Sequence, residues 1–165
     1  MRFEVEQRFR ATPERVLELY TDPDFYQALA GLPKVSAPQV LEHRAEGDRV
    51  LLRVRYTFTA SLPAAATAVI DPAKLTWVDE TWFDLVRGTA TTRLLPDHYP
   101  DKMQASASAT FVAEAQGDTV RRISGDLRVR VLLVGGKVEQ AIVSGLREHL
   151  VDEEQVAQER LDTDS

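Results

Sequence analysis

Cysteine is absent from this chain of 165 residues, so disulfides and thiolate metal sites are excluded and the protein is indifferent to redox state. Asparagine is absent too, and there are only four lysines against sixteen arginines. That bias matches GC-rich coding, so the arginines carry no special weight as nucleic-acid contacts. No apolar run approaches the ~20 residues needed to span a bilayer. The start, MRFEVEQRFRA, alternates apolar and polar residues and lacks the apolar stretch of a signal peptide. A cytoplasmic location without stable membrane insertion is expected. Basic clusters are missing as well. The net charge is −6, and from Gly135 onward three basic residues face eight acidic ones. The rest of the chain is close to neutral, so no nucleic-acid partner is expected.

The composition that remains, 44% hydrophobic and 28% charged, is that of one globular domain with a single core. Arg2 to Arg10 places Phe3, Val5, Gln7 and Phe9 on one side, the period of a strand. Thr12-Pro13 predicts an N-cap with proline at the first helical position, followed by an apolar stripe of Val16, Leu17 and Tyr20. Asp22-Pro23 predicts a second short helix that ends by Gly31 and Pro33. Strands then dominate. Two of them meet at a tight turn, Glu46-Gly47-Asp48, and in the second Val50, Leu52, Val54, Tyr56 and Phe58 share a face. LTWVDETWFDL and GTATTRLLP predict the next pair, after a less regular connection with a turn at Asp71-Pro72. QASASATFVAEA and TVRRISGDLRVRVLL predict a hairpin around Gln116-Gly117-Asp118. A helix from about Gly136 to Arg160 closes the chain. Val138, Ala141, Ile142, Gly145, Leu146, Leu150 and Val156 form its apolar stripe, with Glu139, Arg147, Glu148, Glu153 and Glu154 mainly on the other side. A single domain over 1–161 and a frayed tail at 162–165 are expected.

Gly135-Gly136-Lys137, between the last strand and the last helix, invites comparison with a phosphate loop. Five residues before Gly136 stands Val131 rather than glycine, and Lys137 is followed by Val138 rather than serine or threonine. No G-x-G-x-x-G occurs either. The glycines read as a joint that lets the backbone turn from sheet to helix. Gly145 reads as a point of close approach to the sheet, or as room for a ligand.

The order of elements resembles the START-like, helix-grip (SRPBCC) superfamily, which includes the birch-pollen allergen and bacterial polyketide cyclases. ATPERVLELYTDPDFY, Ala11 to Tyr26, is similar to the first strand-to-helix segment of its bacterial members. RVRVLLVGGKVEQAI, Arg128 to Ile142, and LLPDHYPDKMQASASATF, Leu94 to Phe111, resemble an uncharacterised bacterial branch. The resemblance covers Met1 to about Leu161. It implies an α+β fold in which a seven-stranded antiparallel sheet grips a long C-terminal helix, with two short helices between the first two strands. It also implies a cavity between sheet and helix for a lipid, sterol-like or polyketide-like molecule. No catalytic residue set is shared across that superfamily, so none is carried over.

The search for chemistry yields little. His43, His98 and His149 have no metal-binding spacing, and neither metal nor cofactor is expected. Asp22 reads as a helix cap rather than one of a catalytic pair with Asp24. Asp97, His98 and Asp101 read as turn residues, and Ser144-Gly145 is not part of G-x-S-x-G. Asp79 and Glu80 point to opposite faces of their strand. One of them inside an apolar cavity is a candidate acid or base, unless it pairs with an arginine such as Arg93. Trp77 and Trp82 also face opposite ways. Tyr56 is a candidate hydrogen-bonding group, and the small residues of QASASATF mark either room for a ligand or close packing of the helix. The expected cavity, of ~300–1,000 Å³, is lined by Leu52, Val54, Tyr56, Phe58, Leu127, Val129, Ile142 and Leu146, with Val50 and Val138 at its ends. Binding or carriage of a small hydrophobic ligand is the leading expectation. A polyketide-cyclase or dehydratase-type enzyme is the second. The third is an interaction module with a filled core, using its acidic helix. No motif sets the oligomeric state.

Overall fold

The computed structural model describes residues 1–164, apart from the side chains at 36 and 37. β1 (Arg2–Phe9) leads into α1 (Pro13–Thr21) and α2 (Pro23–Ala28). β2 (Val35–Glu46) and β3 (Arg49–Phe58) form the first hairpin. α3 (Ala64–Thr67) and a single 3₁₀ turn at Pro72–Lys74 lie in the connection to β4 (Thr76–Asp84). β5 (Thr89–Pro96), β6 (Met103–Ala113), β7 (Thr119–Val129) and the long α4 (Gly135–Thr163) complete the chain. All neighbouring strands are antiparallel, in the order β1-β7-β6-β5-β4-β3-β2.

Local chemistry explains the element starts. Thr12 accepts a hydrogen bond from the Arg15 N–H and Pro13 opens α1; Asp22 accepts from the Asp24 N–H and Pro23 opens α2. α2 is shorter than its sequence pattern suggests, ending at Ala28. In β3 the even-numbered residues Val50 to Phe58 are all buried, while Arg49 is exposed and Arg53, Arg55 and Thr57 are half-buried. β2 carries register shifts between Ser36 and Gln39 and between Val40 and Glu42, irregularities that bend a strand.

α4 lies along the inner face of the sheet and departs from expectation in three ways. It continues to Thr163, past the predicted end at Arg160, and Asp162 accepts hydrogen bonds from Arg10 and Gln158. The expected frayed tail is therefore helical at 162 and 163; Ser165 lies outside the described residues. His149 and Glu153 are buried beside Val143, Leu150 and Ala157, so Glu153 belongs to the inner face and not the wet one. The glycine joint also works differently. The left-handed backbone (φ 69°) falls on Leu133, not on Gly135 or Gly136. Gly135 is needed for closeness: a Cβ there would lie 2.4 Å from the Val129 carbonyl oxygen. At Gly145 a Cβ would meet the Phe58 ring at 2.8 Å, which is the close approach expected.

Candidate functional site

The inner face of the sheet and the middle of α4 border a partly open cavity of about 180 Å³. Strand alternation decides which side chains reach it. β3 contributes Leu52, Val54, Tyr56 and Phe58, and across the ladder β4 contributes Trp77, Asp79, Thr81 and Phe83. Leu127 from β7 and Ile142 and Leu146 from α4 complete the expected wall. Ala105 and Ala107 of β6 also line it, so the small side chains of that strand border empty space there.

One expected lining residue is elsewhere. Val129 is buried but does not border the cavity, because the first turn of α4 sits on it. The Gly135 backbone abuts the Val129 carbonyl, and the Val129 N–H donates to Glu139 Oε1 at 2.8 Å. Val50 and Val138, expected at the cavity ends, are both in the packed core outside the lining.

The polar half of the wall was largely unread in the sequence. Glu153 Oε1 accepts from the Tyr20 hydroxyl at 2.8 Å and from Arg121 Nη1 at 3.0 Å. Gln7 joins them, accepting from Arg121 Nη1 at 2.8 Å and donating to the Leu150 carbonyl at 2.7 Å. The Arg121 guanidinium also lies 4.2 Å from the Tyr20 ring centroid. A buried ion pair held by further hydrogen bonds in this way avoids leaving a bare charge in the core. Arg121 shares its inward parity with Ile123, and His149 and Glu153 are four apart, one turn beyond Leu146. Those spacings were the available signal.

Two groups on the wall are less completely satisfied. His149 stacks edge-on to Tyr56 with ring centroids 6.4 Å apart, and its Nδ1 has no hydrogen-bond partner among the described residues. Burial holds its pKa below the usual histidine value, against the pull of Glu153 and Asp152, so the ring is neutral near pH 7. Asp79 settles the β4 question: it faces the cavity, while Glu80 faces outward and pairs with Arg93 at 2.9 Å and Arg53 at 3.5 Å. The Asp79 side chain is half-buried and fronts the cavity. Burial pushes its pKa up to about 7; the Trp77 indole N–H opposes the rise and the Glu153 carboxylate adds to it. No cation pairs with Asp79 among the described residues. Burial likewise raises the Tyr20, Tyr26 and Tyr56 phenols, which therefore stay protonated donors. Trp77 stacks on Tyr56, whereas Trp82 is outside, with Arg49 4.5 Å from its ring centroid.

His43 and His98 do not approach this site, and no cluster of metal-ligating side chains exists among the described residues. Asp97 is no part of it either; it accepts from Arg55 at 2.9 and 3.0 Å and from Thr76 at 2.8 Å. Among the described residues no helix is long and apolar enough to cross a membrane.

The family described as "Protein of unknown function (DUF2505)" matches residues 4–161. No curated protein matches. Among solved structures, a protein of Thermus thermophilus is 18% identical with a TM-score of 0.70, covering 100% of this chain and 99% of that one. The Zhui aromatase/cyclase from a Streptomyces species is 15% identical with a TM-score of 0.70, over 98% of this chain and 95% of that one. Norcoclaurine synthase from Thalictrum flavum, in complex with dopamine and hydroxybenzaldehyde, is 14% identical with a TM-score of 0.65, over 98% of this chain and 87% of that one. At these identities the likeness is one of fold, and it is the helix-grip fold that the element order resembled.

Proposed function

Because the chain belongs to the DUF2505 family, whose description assigns no activity, we propose a function from the cavity itself: binding of a small, mainly apolar molecule that carries at least one polar group. The observation behind this reading is an internal space of about 180 Å³ with an apolar wall and an unpaired carboxyl, Asp79, on its surface. A filled core, which the interaction-module reading requires, is hard to reconcile with that space. The size narrows the ligand. A cavity of ~150 Å³ holds benzene, so this one suits one or two rings, and a sterol or four-ring polyketide would require side chains to move. In the related norcoclaurine synthase both named compounds are one-ring molecules, which agrees with that range.

Native mass spectrometry of freshly purified protein, with solvent extraction, is the first test. A reproducible added mass lost on unfolding supports the reading. The second arm is titration with 2-naphthol, followed by Trp77 fluorescence. Ala107→Phe fills the cavity and is expected to abolish the response while the protein stays folded. An empty protein that gives no response to one- and two-ring phenols, or a response that survives Ala107→Phe, overturns it.

A second reading, proton transfer on a carbonyl substrate, is favoured by one observation: the Asp79 carboxyl titrates near neutrality inside a largely apolar wall. Deuterium exchange at the carbon next to the carbonyl of 1-tetralone, followed by NMR, separates it from simple carriage. Exchange above background that Asp79→Asn removes without weakening binding supports an enzyme. No exchange supports a carrier.

A further inference from the structure

We propose that the loop joining β7 to α4 docks on an anionic lipid surface, with Leu132 and Leu133 entering the apolar layer and the neighbouring lysines meeting the headgroups. This docking does not depend on what the cavity holds. Leu132 is 87% exposed and Leu133 93%, the largest exposures among the big apolar side chains. Adjacent leucines bare to this extent are unusual on a protein surface otherwise dotted with single apolar residues. The loop holds them there. Leu133 sits at φ 69°, where non-glycine residues are uncommon. The segment is pinned on both sides: the Arg130 N–H donates to the Lys102 carbonyl at 2.7 Å and the Gly135 N–H to the Val131 carbonyl at 2.9 Å.

The distribution of lysine supplies the second, independent observation. All four lysines in the chain occur at this end of the sheet. Lys34 precedes β2, Lys74 closes the 3₁₀ turn before β4, Lys102 precedes β6, and Lys137 is in the first turn of α4. Hydrogen bonds tie these connections together. The Thr59 and Ala60 N–H groups donate to the Lys34 carbonyl, the Asp71 N–H donates to the Tyr99 hydroxyl, and Arg130 meets Lys102 as above. Of the nearby acids, Asp101 beside Lys102 is exposed, and three others are engaged. Asp97 is held by Arg55, and Asp126 and Glu139 both lie against the N-terminal amine of Met1. Lys34 is itself paired, with Glu148 at 3.1 Å, so the free positive charge comes mainly from Lys102, Arg130 and Lys137. On a chain of net charge −6, a bare leucine pair flanked by Lys102, Arg130 and Lys137 matches a surface that is negative outside and apolar beneath. The turns at the opposite end, around Gly47, Gly88 and Gly117, contain no lysine.

The test is sedimentation of the full-length protein with vesicles of phosphatidylcholine alone and of phosphatidylcholine mixed with phosphatidylglycerol. Binding is expected to the mixed vesicles at low salt, weakening steeply as salt rises. Leu132→Ser with Leu133→Ser is expected to weaken partitioning at least about tenfold with an unchanged thermal melt. Lys102→Glu and Lys137→Glu are each expected to cost about fivefold or more. The proposal is overturned if neither vesicle sediments the protein, or if the double leucine variant binds as well as the parent. It is equally overturned if light scattering shows a dimer that the double variant dissolves, since the leucines would then cover each other.

Discussion

Replacing Asp79 by asparagine isolates the most unusual charge in the molecule, because the two side chains are nearly the same size and only one of them ionises. In the folded protein the Asp79 carboxyl titrates at about 7, against an ordinary value of 3.8. Its folded-state pKa is raised, so the folded state holds the proton more tightly than the unfolded chain does. The sign follows from linkage. Below pH 4 both states are protonated and Asp79 costs nothing. As pH rises from 4 to 7 the unfolded chain ionises and the folded one does not, and stability falls. Above 7 the loss is complete. With about 1.36 kcal/mol per tenfold change in proton affinity, the loss approaches about 4 kcal/mol. That is an upper figure, since the cavity admits some water. Asp79→Asn is therefore expected to be close to neutral at pH 4 and stabilising by several kcal/mol at pH 8. The assay is urea unfolding followed by circular dichroism, taken on both proteins at each pH.

The difference between the two proteins is the quantity to follow. The parent alone mixes this effect with an opposite one. Asp97, held low chiefly by its hydrogen bond from Arg55, and Glu6, held low chiefly by Arg122, contribute stability that is present at neutral pH and lost in acid. Those contributions cancel between parent and variant. A constant difference from pH 4 to 8 would refute the buried-carboxyl reasoning, and so would a carboxyl resonance for Asp79 that titrates near 4.

Two further substitutions probe the rest of the frame. Glu153→Ala leaves the buried Arg121 guanidinium without its carboxylate, and is expected to cost about 3–5 kcal/mol in the same unfolding assay, whereas an exposed acid such as Glu159 should cost under about 0.5 kcal/mol. Gly135→Ala drives a methyl to 2.4 Å from the Val129 carbonyl and is expected to lower the melting temperature sharply. Gly136→Ala meets nothing within 4 Å and is expected to be neutral or slightly stabilising, since alanine is the better helix former. Equal effects at the two positions would refute the close-approach account of the joint.

Much of the fold was legible because its signals are local. Thr12-Pro13 and Asp22-Pro23 cap helices with their own side chains, and the alternation in β1, β3 and β7 states which face is wet. The seven strands and the final helix follow from those patterns. The apolar wall was nearly as legible, because parity alone brings Leu52, Val54, Tyr56 and Phe58 to one side. Val129 has the right parity but the wrong surroundings. The helix begins directly over it, and nothing in the strand announces how soon the chain turns back. The polar cluster was harder to see for a different reason. Gln7, Tyr20, Arg121 and Glu153 come from four separate elements, and a lone acid on a helix normally faces water. Only the partnership with Arg121 makes burial of Glu153 tolerable, and that partnership spans β7 and α4.

The same cluster explains how structural and functional polar groups can be told apart in this cavity. A charge buried for the sake of the fold must be satisfied by the fold, since an unpaired one costs more than it contributes. Glu153 meets that condition, through Tyr20, Arg121 and Gln7. Asp79 and the Nδ1 of His149 do not; one has no cation beside it and the other no partner among the described residues. Both are on the cavity wall, with Tyr56 against the histidine ring. A ligand hydroxyl or carbonyl reaching this end would meet the Asp79 carboxyl, a neutral imidazole and the Tyr56 phenol, whereas the Tyr20 and Tyr26 hydroxyls are already engaged. The fold bears the cost of Asp79 at neutral pH without recovering it internally. That is the pattern expected where buried polar groups await a partner from outside the chain.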